Sequence, residues 1–178
     1  FDHCMTTYAG PFWHQRKPFD FKLWRDTVFQ SQKNAGTEVF LSNILENHDQ
    51  PRCASTYLLE TDYSFYSVTA LATVSLLLRG IPFLYQGQEI GMRNSRFARI
   101  EDFDDLSTRD QYQAAVKAGL TPEQALASCN RTSRDNARTP MPWSGGENAG
   151  FTSGTPWLPV NPDYQEINVE ADAMRPQS

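Results

Sequence analysis

Cysteine is scarce in this chain. Cys4, Cys53 and Cys129 are the only three in 178 residues. The number is odd and no Cys-x-x-Cys pair exists. That speaks against a disulfide framework and against a zinc site. Free thiols in a reducing, cytoplasmic compartment are the expectation. Histidine is as rare, with His3, His14 and His48, and no metal or cofactor is expected. No block of lysine or arginine stands out and the net charge is −5, so nothing resembles a nucleic-acid footprint. No apolar run approaches the roughly 18 residues that span a bilayer. The longest, Ala70 to Leu78, is broken by Thr73 and Ser75. The opening Phe1-Asp2-His3 shows no signal-peptide pattern, and the end at Met174 to Ser178 shows no final helix or strand. Both ends read as cut, and a fragment is expected. No internal repeat is found.

What remains is globular in composition, with 39% hydrophobic, 12% aromatic and 21% charged residues. Residues 1–19 read as loop, with Gly10-Pro11, Pro18 and the aromatic pair Phe12 and Trp13. Asp20 is placed to cap a helix from Phe21 to Gln32. Its apolar stripe is Phe21, Trp24, Val28 and Phe29, and Asn34 to Gly36 end it. Val39 to Leu45 reads as a strand that runs directly into the polar segment Glu46 to Arg52. Ser64 to Arg79 reads as a second helix, apolar on nearly every face and so expected to be deeply packed. Gly80 and Pro82 stop it. Ile81 to Tyr85 is a second strand, again followed by a polar turn, Gln86 to Glu89. Strands alternating with helices imply parallel pairing. Polar clusters at strand C-termini are where such folds place their chemistry.

The second half differs. Ser107 is expected to cap a helix reaching Ala118, ended by Gly119. Thr121-Pro122-Glu123-Gln124 starts another with a capping box and proline at its first position, reaching Ser128. Residues 134–168 read as irregular, tied down by Trp143, Phe151, Trp157 and Tyr164.

Five groups of residues invite a chemical reading. Asn47-His48-Asp49 follows a buried strand and is compatible with a self-satisfied polar loop, a metal-ligand set as in dinuclear phosphoesterases, or a site gripping sugar hydroxyls. The metal reading needs further His and Asp ligands that the chain lacks. Asp102, Asp104 and Asp105 lack the later glycine and glutamate of a calcium loop and read as a solvated acidic face. Arg134 to Arg138 reads as an ion-paired loop, and Trp143 and Trp157 as buried more than sugar-stacking. Asn130-Arg131-Thr132 is a glycosylation pattern that matters only in a secreted protein.

Longer motifs cohere where these short ones do not. Asn47 to Arg52 resembles the NHDQPR segment of the oligo-1,6-glucosidase and dextran glucosidase group of the α-amylase family, glycoside hydrolase family 13. Gly80 to Met92 is similar to that group's G-x-P-x-x-Y-Q-G-x-E-I-G-M. Arg134 to Trp143 resembles RDNARTPMQW. Asn148 to Thr152, Pro156-Trp157, Val160 to Pro162 and Glu166 to Val169 continue the match in order, so the resemblance covers nearly the whole chain.

This resemblance implies an α/β fold, a partial (β/α)8 barrel. Residues 1–92 would hold its C-terminal part, from about barrel strand 6 to strand 8. Residues 93–178 would be an irregular extension between strand 8 and helix 8. A whole barrel needs about 250 residues, so the nucleophile and acid/base of the family lie outside this chain. An open barrel is expected to expose strand flanks and apolar surface. The implied activity is retaining hydrolysis of terminal α-glucosidic bonds in short oligosaccharides, isomaltose-like or α-1,4. Asp49 matches the transition-state stabiliser, His48 a hydroxyl donor, Arg134 a residue holding the non-reducing glucose, and Arg52 lies in the same substrate-binding motif. The expected partner is a small oligosaccharide, with no nucleic acid or membrane.

Departures are few. Pro142 replaces the group's usual Gln, and the loop after Phe1-Asp2-His3 carries Cys4 and Trp13-His14. The Arg-Leu-Asp-Arg segment of sucrose isomerases is absent, and the motif reads His-Asp-Gln, not His-Asp-Asn. Both points favour a hydrolase. The competing reading is a non-catalytic, glucosidase-like ectodomain of a transporter heavy subunit, which intact His48, Asp49 and Arg134 argue against.

Overall fold

The carboxylate of Asp20 accepts a hydrogen bond from the Leu23 amide and starts α1, Phe21–Asn34. Such a cap satisfies one of the orphan N–H groups of the first turn. Only the inner half of the expected stripe is covered. Trp24 and Val28 are buried, while Phe21 and Phe29 face solvent. Trp24 lies within an aromatic group with Phe19, Phe21 and Tyr57, ring centroids 6.0–6.2 Å from its own. This is a computed structural model, and it describes residues 12–17 and 19–176. Expectations attached to His3, Cys4, Gly10-Pro11 and Pro18 lie outside the described residues.

Two strands follow, each shorter than the apolar runs predicted. β1 is Ser42–Ile44 and β2 is Ile81–Phe83. They pair in parallel, Ser42 opposite Ile81 and Ile44 opposite Phe83, as alternating helices and strands require. Between them run α2, Cys53–Tyr57, and α3, Phe65–Leu77, whose start is a reciprocal cap between Ser64 and Ser67. Asn43 ties this unit together. It is wholly buried, and its Nδ2 donates to the carbonyl of Leu78 at 2.8 Å, just past α3. Gly80 must be glycine here: at φ +149° an added Cβ would sit 2.3 Å from the Leu41 carbonyl oxygen.

α3 departs from expectation. Within it only Ser75 is buried, and Tyr66 and Leu77 stand almost free. A two-stranded sheet of three-residue strands is too small to cover a thirteen-residue helix on all faces. The strand residues Ile81 and Phe83 are exposed too, along with Leu84. Bare strand flanks and apolar surface were expected of an open barrel.

The second half is built on α4, Leu106–Lys117, and α5, Pro122–Thr132. Asp105, not Ser107, caps α4, its carboxylate accepting from Thr108. Thr121 and Gln124 form the predicted capping box of α5, which continues one turn beyond Ser128. Phe97, Phe103, Cys129 and Leu158 form the core there, the two rings 4.2 Å apart. From Ser133 the chain is irregular as predicted, apart from 3-10 turns at Arg134–Ala137 and Glu147–Gly150. Its anchors are not the predicted aromatics. Trp143, Phe151 and Trp157 are exposed, and Met92, Met141 and Ile167 are buried together instead. A short α6, Val169–Ala173, capped by Asn168, ends the described chain where no helix was expected. No helix among the described residues is long and apolar enough to cross a membrane.

Candidate active site

The polar run Glu46 to Arg52 leaves the C-terminal end of β1 and turns at once. The Asn47 side chain accepts from the Asp49 amide at 2.9 Å, an Asx turn that lifts His48 and Asp49 outward. Both are more than half exposed. His48 Nε2 lies 3.3 Å from Asp49 Oδ2. The other carboxylate oxygen, Oδ1, accepts from two arginines at once: Arg134 Nη1 at 3.0 Å and Arg138 Nη2 at 3.1 Å. These partners arrive from the 3-10 turn of the second half, 85 and 89 residues away.

Each arginine is held from behind by a second acid. Arg134 donates through Nε to Asp105 Oδ1 at 2.8 Å. That hydrogen bond raises the Arg134 pKa further, against the effect of burial, and Asp49 adds to it. Burial pushes the Asp105 carboxyl up, yet hydrogen bonds from Thr108 and Arg134 outweigh it and leave the group below its ordinary value. Asp105 is therefore no part of a solvated acidic face; it is buried, as cap and counter-ion. Arg138 has Asp135 behind it, 3.6 Å from Nη1. Asp135 is fully buried and accepts through Oδ2 from the amides of Asp104 and Asp105 at 2.8 and 2.9 Å. The order Asp105, Arg134, Asp49, Arg138, Asp135 is thus an alternating ladder of charge with Asp49 at its exposed centre.

Arg52 does not belong to that surface. Its side chain is 1% exposed and pairs with Glu46, itself inaccessible, at 2.8 Å. The same guanidinium donates to the carbonyls of Gln86 at 2.6 Å, Asn136 at 3.3 Å and Ala137 at 3.4 Å. A binding role for Arg52 is corrected accordingly. Its donors join the loop after β1, the turn after β2 and the 3-10 turn between Arg134 and Arg138. Gly87 gives it room, since a Cβ there would meet Met92 Sδ at 2.2 Å and Arg52 Nη1 at 3.1 Å.

The structure brings His48, Asp49 and Arg134 together, and the sequence reading named neither Arg138, Asp105 nor Glu46 among the site residues. The signal for Arg138 was the pair of arginines around Asp135 in one short segment. Other candidates lead elsewhere. Among the described residues no group of three or more His, Cys, Asp or Glu side chains is arranged to hold a metal ion. Asn130 of the glycosylation pattern is engaged within α5, donating to the Phe97 carbonyl at 3.0 Å and accepting from its amide at 2.9 Å. Cys53 and Cys129 are free and buried. Burial raises both thiols, Cys129 to about 11, so neither is a reactive thiolate.

The model of the α-amylase catalytic domain matches residues 1–178. The chain belongs to this family. Oligo-1,6-glucosidase of Parageobacillus thermoglucosidasius is 42% identical over 180 residues, covering 100% of this chain and 32% of that protein. Trehalose-6-phosphate hydrolase of Bacillus subtilis is 37% identical, with the chain again wholly covered and 32% of the relative. Among solved structures, a mutant of trehalulose synthase MutB aligns with TM-score 0.87 at 40% identity, over 98% of this chain and 32% of that one. Isomaltulose synthase of Klebsiella sp. LX3 aligns with TM-score 0.86 at 35% identity, with the same coverages. This α-amylase-family chain thus spans about a third of the length of the relatives it matches, and its fold is that of the corresponding part of their catalytic domains.

Proposed function

We propose that this chain is part of a longer retaining α-glucosidase that releases glucose from the ends of short α-glucosides of the isomaltose type. In this reading residues 1–92 are the end of a (β/α)8 barrel, from about strand 6 to strand 8, and residues 93–178 the extension before helix 8. The observation that carries the proposal is the convergence of Asp49, His48 and Arg134 from two distant segments on an exposed surface at a strand C-terminus. Asp49 binds hydroxyls of the reacting sugar, where hydrogen bonds strengthen as positive charge develops. His48 donates beside it, and Arg134 holds the terminal glucose. The nucleophile and the acid/base are supplied by the rest of the polypeptide. A small oligosaccharide is the only partner invoked. The two buried free thiols support a reducing compartment, and we place the protein in the cytoplasm.

The test is turnover of isomaltose by the full-length polypeptide and its Asp49→Asn variant. The loss expected is about 2.7–4 kcal/mol of transition-state stabilisation, the effect of removing one preorganised group. Near-normal turnover in the variant would sink the assignment. A second reading, isomerisation of sucrose, has the solved synthases in its favour. The His-Asp-Gln motif speaks against it. Product analysis with sucrose separates the two, since isomerisation yields a new disaccharide and hydrolysis yields free glucose.

A further inference from the structure

We propose that Arg138 is a positioning residue for the reaction assigned above: it locks His48 and Asp49 into one fixed unit. The inference rests on that assignment and concerns a residue to which it gives no role. One planar guanidinium grips both members of the pair. Nη2 donates to Asp49 Oδ1 at 3.1 Å, and Nε donates to the backbone carbonyl of His48 at 2.9 Å. Side chain and main chain of the loop are therefore fixed by the same rigid fork. Arg134 divides its donors differently, between Asp49 and Asp105.

Exposure separates the two arginines as well. Asp49 is 52% exposed, Arg134 37% and Arg138 24%. Arg138 stands behind the carboxylate and Arg134 beside it, where a ligand arrives. Arg138 is itself braced. Its amide donates to the Asp135 carbonyl at 3.0 Å. The preceding carbonyl, of Ala137, accepts from Tyr85 Oη at 3.1 Å and from Arg52 at 3.4 Å. Asp135 Oδ1 is buried with no hydrogen-bond partner, so Arg138 is the cation that opposes its charge. A side chain anchored at its base and facing a buried acid behind it has little freedom, and it passes that rigidity to an exposed aspartate. An aspartate free to rotate would meet the sugar in a spread of orientations, and misplacement of about 1 Å costs on the order of 10²-fold in rate.

The experiment is a double-mutant cycle in the full-length polypeptide, with isomaltose as substrate and the melting temperature recorded for each protein. Arg138→Met should lower kcat by about 10²-fold with little change in KM. Arg138→Lys should recover only part of it, because an ammonium restores charge but not the fork. Added to Asp49→Asn, Arg138→Met should cause almost no further loss, since residues acting as a unit are not additive. A purely structural role would show additivity, or a fall in melting temperature without the kinetic interaction. Full kcat in Arg138→Met, or full additivity with Asp49→Asn, would overturn the inference while leaving the site assignment intact. Normal turnover in Asp49→Asn alone would remove the assignment and this inference with it. If Arg138→Met does not fold, Arg138→Lys carries the same cycle, because it keeps a cation against Asp135.

Discussion

The two halves of the molecule are held in opposite ways. The first has the paired strands and an open surface. Its strands and α3 leave Ile81, Phe83, Leu76 and Leu77 in solvent. The second has no strand among the described residues, yet Phe103, Leu158, Thr108, Asp135, Asn136 and Thr139 are all but inaccessible. Sheet pairing and completeness of burial are therefore separate properties here. The second half packs two helices and is closed by side chains that satisfy backbone groups, as Asn161 Nδ2 does for the Arg93 carbonyl at 2.9 Å and Asp135 for two amides. The first half makes its own ladder and lacks a cover. Where the halves meet, Arg52, buried and paired with Glu46 in the first half, donates to the Asn136 and Ala137 carbonyls of the second.

That seam gives the largest expected effect. Glu46 accepts from Arg52 and, through Oε2, from the Cys53 amide at 2.6 Å. Glu46→Gln would leave the Arg52 charge buried without its counter-charge. Removing one partner of a buried pair costs about 3–5 kcal/mol. Urea unfolding of the full-length polypeptide should show a lower midpoint with an unchanged slope, the shift multiplied by the slope giving that loss. A loss below about 1 kcal/mol, the worth of a surface pair, would mean that the carbonyls around Arg52 compensate its charge without Glu46.

The next effect lies wholly in the second half and depends on pH. Asp105 is depressed in the folded state despite burial, because Thr108 and Arg134 stabilise its charge. Its contribution is then fully present above the ordinary carboxyl value of about 3.9 and is lost as pH falls through the lowered folded value. Asp105→Asn keeps a good helix cap and deletes the charge. It should cost about 1.5–3 kcal/mol at neutral pH, the range for hydrogen bonds to charged groups. The difference from the parent should vanish on acidification below that window. A difference that persists at low pH would assign the effect to cap geometry and not to the ion pair.

Such partnerships also mark where sequence reading stops. The Asp20 cap, the Thr121–Gln124 box, the parallel pair and the polar loops at strand ends were legible because each is a local signal. The 3-10 turn bearing Arg134 and Arg138 could be seen as two arginines around an acid. That both would meet Asp49, across 85 and 89 residues, is not written in any spacing. Arg52 looked like its exposed neighbours His48 and Asp49, and only the fold shows it turned inward. Trp143 and Trp157 followed the rule that large aromatics are buried, and the rule failed. α6 was missed because five residues are too few to show a period. α3 was judged from composition alone, which reports what a helix can bury, not what is present to cover it.

The smallest effect, expected in the isolated chain, tests that last distinction. Leu77 is 80% exposed at the end of α3. In the isolated chain Leu77→Ala removes contacts with water only, and surface changes of this kind stay within about 0.5 kcal/mol. Hydrogen exchange of the α3 amides should therefore be nearly the same in parent and variant. In the full-length polypeptide the proposed barrel supplies further strands and helices, and α3 becomes a covered helix. The same substitution should then cost about 2–5 kcal/mol, as leucine truncation does in a core. The two measurements together are informative because the side chain and its own helix are identical in both, so the difference reports only the cover. A near-zero effect in both would leave α3 bare in the whole protein and would contradict its place in the helix ring packed around a closed barrel.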